Sequence, residues 1–91
     1  MDVRSIWVVC PMMSMWTGKD PVPPMGGRVM VTMNNMGTGE VVGYYMAKGE
    51  DNNAYTGIVV LLDTPPIWYL EQNSGCRLVW VFGREVRNVP R

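Results

Sequence analysis

Asp63 and Glu71 are the two carboxylates flanking the aromatic stretch Pro65-Pro66-Ile67-Trp68-Tyr69. A carboxylate pair can carry general acid–base chemistry. No third group accompanies this one, and Asp63 ahead of Thr64-Pro65 also reads as a turn residue. The chain contains no histidine, which removes His-based triads, most zinc sites and the usual pH switches. Gly37-Thr38-Gly39 resembles the start of a phosphate loop, but no Lys-Ser/Thr pair or helix follows, so it is expected to form a hairpin turn. The nine methionines could offer soft thioether ligands to Cu(I); core and loop packing accounts for them better. Cys10 and Cys76 are expected to be two buried free thiols, with a single bridge geometrically open. No catalytic set, metal site or cofactor is expected from these residues.

What remains is chemistry of contact. Tyr44 and Tyr45 are neighbours on a strand, so they point to opposite faces, one into the core and one outward. Trp68 and Tyr69 sit at a strand end, where amphipathic rings can lie open with a polar tip in water. Together with Trp80 these rings make a candidate ligand surface, with Asp63 and Glu71 at its rim, for an extended peptide, a base or a flat small molecule. The same rings would also serve to close one end of the fold. A protein or peptide is the expected partner; the second reading is a homo-oligomer that is a small-molecule-binding protein or an enzyme with its site at a subunit interface.

Eight basic and eight acidic residues cancel, so no global field draws the chain to nucleic acid or an anionic membrane. From Cys76 onward, however, Glu85 is the only acid, against Arg77, Arg84, Arg87 and Arg91. That basic tail is the basis of an alternative nucleic-acid reading. Near the N-terminus, Arg4 precedes an apolar run from Ile6 to Trp16 of about signal-peptide length. Asp2, Pro11 and Ser14 oppose that reading, and the run is too short to span a bilayer. It is expected to be a strand and loop of a cytoplasmic protein.

These residues must be positioned by short β-rich runs punctuated with Gly, Pro and Asn. Ser5–Cys10, Arg28–Met33, Glu40–Lys48, Tyr55–Leu62 and Cys76–Phe82 are the expected strands. Gly43 inside the third marks a bulge or sharp bend. Asn34 to Gly37 supply a turn, residues 49 to 53 a hairpin tip, and Ile67 to Gln72 one short helical turn. Residues 12 to 27, with Pro21, Pro23, Pro24, Gly26 and Gly27, form a long loop that packs on its own Met12, Met13, Met15, Trp16 and Met25. The 91 residues then make one domain: an N-terminal strand and Pro/Met-rich loop over residues 1–27, and a barrel over 28–91. The fold class is all-β, a small SH3-like barrel of about five strands. Several strands are apolar on both faces, which points to cover by the N-terminal loop or by a second subunit.

The stretch Gly39-Glu40-Val41-Val42-Gly43-Tyr44-Tyr45 resembles the Gly-x-Ile-Val-Gly-Trp-Tyr strand of the type II, trimethoprim-insensitive dihydrofolate reductases. Val79-Trp80-Val81-Phe82 is similar to their Val-Gln-Ile-Tyr pore motif. The resemblance covers about half of the chain and implies an SH3-like barrel, self-association and kinship with the integron gene-cassette proteins. The pore glutamine and tyrosine that bind cofactor and substrate in that family would fall at Trp80 and Phe82, so the resemblance does not carry the reductase chemistry across. KOW and Tudor modules share the same Gly-x-Val-x-Gly strand logic.

Overall fold

The structure, a computed structural model, describes residues 14–90. The expected strand Ser5–Cys10, Met12, Met13, Cys10 and Arg91 lie outside that range. Within it the alternation of apolar and polar residues becomes five strands: β1 (Arg28–Val31), β2 (Gly37–Lys48), β3 (Ala54–Leu62), β4 (Leu78–Phe82) and β5 (Val86–Asn88). A six-residue helix, α1 (Ile67–Gln72), lies between β3 and β4, as Pro65-Pro66 before it and Asn73-Ser74-Gly75 after it dictate. Single turns of 3-10 helix follow β1 at Met33–Asn35 and β4 at Gly83–Glu85. The chain is therefore all-β apart from these short turns. The strands form one antiparallel sheet in the order β4-β3-β2-β1-β5. Among the described residues β4 and β5 do not pair, and the sheet is open.

The core lies on one face of this sheet. Side chains alternate across a strand, and the inward set is Val29, Val31, Val41, Ile58, Val60, Leu62, Val79, Val81 and Val86, joined by Met36. Each such aliphatic side chain contributes roughly 1.5–3 kcal/mol on burial. Val41 pairs with Val60 while Gly43 pairs with Val59, so Val42 is the extra residue of the bulge that Gly43 announced. The bulge divides β2: its first part pairs with both β1 and β3, its second with β3 alone.

Residues 14 to 23 strap across the two ends of the sheet. The Met15 N–H donates to Ala54 O at 2.9 Å and the Thr56 N–H to Met15 O at 2.8 Å, so the strap enters beside β3 beyond the end of β4. Trp16 packs on the core and its indole N–H donates to Asp20 O at 2.8 Å. A Cβ at Gly83 would come within 2.2 Å of the Gly18 nitrogen, so only glycine admits this crossing. Further on, Pro23 is buried and its carbonyl accepts from the Tyr44 hydroxyl at 2.6 Å.

Several expectations are corrected. Gly37-Thr38-Gly39 is the start of β2, and the turn lies just before it, where Asn34, Asn35 and Gly37 take φ of 54°, 55° and 93°. Met33 belongs to that turn rather than to β1. In the loop Trp16 packs inward, whereas Met15 and Met25 are exposed. Cys76 is exposed rather than buried, because it precedes β4 in the turn that follows α1. Val86 to Asn88 form a strand that the sequence does not announce. No helix among the described residues is long and apolar enough to cross a membrane.

Candidate functional site

The register places on the outer face what the core leaves over. Across β2, β3 and β4 one row reads Gly43–Val59–Trp80 and the next Tyr45–Gly57–Phe82; beyond it Ala47 pairs with Tyr55. Trp80, Phe82, Tyr45 and Tyr55 thus share one face. Tyr45 and Phe82 meet with ring centroids 5.5 Å apart, and Tyr55 and Phe82 meet edge-on at 6.5 Å. Gly57 makes this possible, since a Cβ there would stand 2.2 Å from the Tyr45 ring. Trp80 is 48% exposed and Val42, at the bulge, 39%. The result is an aromatic stripe with one open indole and a packed group of three rings.

Burial pushes the Tyr45 hydroxyl up to about 12, with the nearby Glu85 carboxylate adding to the effect. The Tyr55 hydroxyl donates to Asp51, which raises the phenol and holds the Asp51 carboxyl below its usual range. Beside these rings a cleft of about 1010 Å³ opens between the tip of the β2–β3 hairpin and the turn after β4. Tyr55, Phe82 and Met15 line it, with Lys48 and Arg84 and the acids Glu50, Asp51 and Glu85 around them. Two of these acids are engaged within the fold, Asp51 by Tyr55 and Asn53, and Glu85 by the Phe82 N–H at 2.8 Å. The cleft is mixed in charge and shows no converging nucleophile and base.

The residues expected to form one site divide among three places. Tyr45 and Trp80 belong to the stripe. Tyr44 and Tyr45 are both half-buried rather than one core and one open: Tyr44 packs on the core and donates to Pro23 O, while Tyr45 covers Gly57. On α1, Trp68 and Tyr69 meet edge-on with centroids 5.8 Å apart. Trp68 is 42% exposed, but Tyr69 packs on the core and its hydroxyl donates to Leu78 O at 2.6 Å. Glu71 is exposed on the same helix. Asp63 is not at a rim; it ties β3 to β1 and β2, accepting from both terminal guanidinium nitrogens of Arg28 and, at 2.8 Å, from the Thr38 hydroxyl. Those bonds, Arg28 first, hold its carboxyl below the usual range.

The arginines do not converge either. Arg77 donates to Leu62 O and Asp63 O at one end of β4, Arg84 stands at the other end, and Arg87 pairs with Asp20 beside β5. Among the described residues no group of three Cys, Asp or Glu converges as metal ligands would. Sequence reasoning missed Tyr55 and Phe82 as site residues. Phe82 was within reach, two places from Trp80 on one strand; Tyr55 needed the hairpin register. No family model matches this chain, and no curated protein or solved structure matches it.

Proposed function

We propose that the chain is a non-enzymatic binding module that holds a protein or peptide partner on the aromatic stripe, with Trp80 as its anchor. The observation that carries this reading is the exposed indole of Trp80 beside the Tyr45, Phe82 and Tyr55 rings, on a sheet whose other face is filled by the core. Tryptophan and tyrosine supply large contact area at low entropic cost and dominate interface energetics. The strand order and the 3-10 turn between β4 and β5 support an SH3-like barrel as the scaffold. The likeness to the type II reductases is read as kinship of scaffold alone, with Trp80 and Phe82 turning a polar pore motif into apolar contact.

The test is retention of a partner from host lysate by the tagged chain, with and without nuclease. A protein is expected to be retained after nuclease treatment by the wild type and by Trp68→Ala. Trp80→Ala is expected to lose it, by about 2 kcal/mol or roughly 30-fold, at an unchanged thermal midpoint. Equal retention by Trp80→Ala would sink the reading. Bound material that vanishes with nuclease would transfer the stripe to base stacking, with Arg84 and Lys48 beside it.

A further inference from the structure

Antiparallel neighbours alternate between residue pairs that exchange both main-chain hydrogen bonds and pairs that exchange none. Between β3 and β4 the phase is set by the Leu62 N–H, which donates to Arg77 O at 3.0 Å. Val60 with Val79 and Ile58 with Val81 are then the bonded pairs. Leu78, Trp80 and Phe82 turn their N–H and C=O groups to the free edge of the sheet. Two side chains meet them there: the Tyr69 hydroxyl donates to Leu78 O at 2.6 Å, and the Glu85 carboxylate accepts from the Phe82 N–H at 2.8 Å.

These bonds stand at the two ends of a strand, Leu-Val-Trp-Val-Phe, that has no charge and no proline. Such an edge is a template for another strand. A second copy pairing antiparallel about Trp80 would bring the Phe82 N–H of one chain to Leu78 O of the other, at both ends. Each of these positions is already occupied, by Glu85 at the donor and by Tyr69 at the acceptor. We propose that Tyr69 and Glu85 are edge guards, which keep β4 from adding to β4 of a second copy of this chain and, among the described residues, leave the main chain around Trp80 unguarded. Both guards are anchored by the fold, since the Tyr69 ring packs on the core and Glu85 sits in the turn that follows β4. This role holds whether or not the stripe binds a partner.

The experiment compares the full chain with Tyr69→Phe/Glu85→Ala by light scattering after size exclusion, at matched concentrations. The double variant, with a wild-type circular dichroism spectrum, is expected to show a mass about two-fold or more above the wild type. Glu85→Gln in place of Glu85→Ala keeps a carbonyl acceptor and is expected to move the mass back toward the wild-type value. Trp80→Pro added to the double variant removes an edge N–H at a position where proline is tolerated, and is expected to abolish the gain. A wild-type mass for the double variant, or a gain that survives Trp80→Pro, would overturn the proposal. Should the double variant melt below the assay temperature, Tyr69→Phe, which keeps its ring on the core, is compared with Tyr69→Phe/Trp80→Pro; equal masses there overturn it as well.

Discussion

The two edges of the sheet meet the same hazard in different ways. β5 is tied to the strap at Arg87 and Asn88. Asp20 accepts the Asn88 N–H at 2.8 Å and the Arg87 side chain at 3.1 Å, and the Asn88 side chain donates to Pro21 O at 3.1 Å. Among the described residues the β4 edge receives two side chains, at its ends, and its middle residue is the most exposed tryptophan. A three-residue strand whose Arg87 is exposed is tied to the strap at its last two residues, and among the described residues an apolar five-residue strand is left open at its centre. Capping the two ends meets the pairing hazard without laying chain along the edge beside Trp80.

The largest expected effect comes from lifting the strap. Gly83→Ala sets a Cβ against the Gly18 backbone, which cannot swing aside as a side-chain tip can. The expected loss is about 3 kcal/mol, the upper end of overpacking penalties, read as a fall in thermal midpoint. A wild-type midpoint would mean that the crossing gives way freely and that the strap does not hold the β5 edge.

Four of the five strands were legible because alternation and Gly/Pro/Asn punctuation agree over β1 to β4, and even α1 is bounded by its flanking prolines and glycine. β5 was not, because Val86-Arg87-Asn88 is too short to show a period and exists only through its pairing with β1. Gly39 looked like a turn residue for a related reason. What fixes it in β2 is the close approach of the Leu61 carbonyl, 2.5 Å from where a Cβ would stand, and that contact is not local. Of the candidate site, Trp80 and Tyr45 are among the aromatics the sequence singles out, but alternation alone does not say which of Tyr44 and Tyr45 faces outward, and both are half-buried. Tyr69 was misplaced because its ring and hydroxyl face inward and along β4, a direction that α1 sets and composition does not.

The strap at the β5 edge and the aromatic stripe answer to pH from opposite sides. Asp20 is held below the usual carboxylate range, first by the Asn88 N–H and then by the Arg87 side chain. A carboxyl depressed on folding gives stability that is present above its unfolded value of about 3.9 and lost as pH falls through the folded value. Asp20→Ala is therefore expected to lower the thermal midpoint at pH 7, with the gap to the wild type closing below about pH 4. The same comparison separates Asp20 from Asp51 and Asp63, which are depressed as well. In the stripe, the raised phenol of Tyr45 on β2 has the reverse sign. Its stability is complete below about pH 10, the unfolded value, and is lost as pH rises toward the folded value of about 12. Tyr45→Phe should lessen the alkaline limb, to which the raised phenols of Tyr44, Tyr55 and Tyr69 also contribute, and leave the acid limb alone.

The smallest perturbation is none at all, and it reads the comparison most directly. Amide exchange in the wild-type chain reports which N–H groups are paired, residue by residue. On β4 the phase of the ladder turns the Val79 and Val81 amides to β3 and the Trp80 amide outward. Fast exchange at Trp80 between two slow neighbours is therefore expected. Phe82 also points outward but donates to Glu85, so its amide should be slowed, and Glu85→Ala should release it. At the other edge the Asn88 amide, bound to Asp20, should be slow despite lying on a three-residue edge strand. If Trp80 exchanged as slowly as Val81, the centre of β4 would be covered too. The two edges would then be alike, and the openness that sets Trp80 apart as an anchor would be gone.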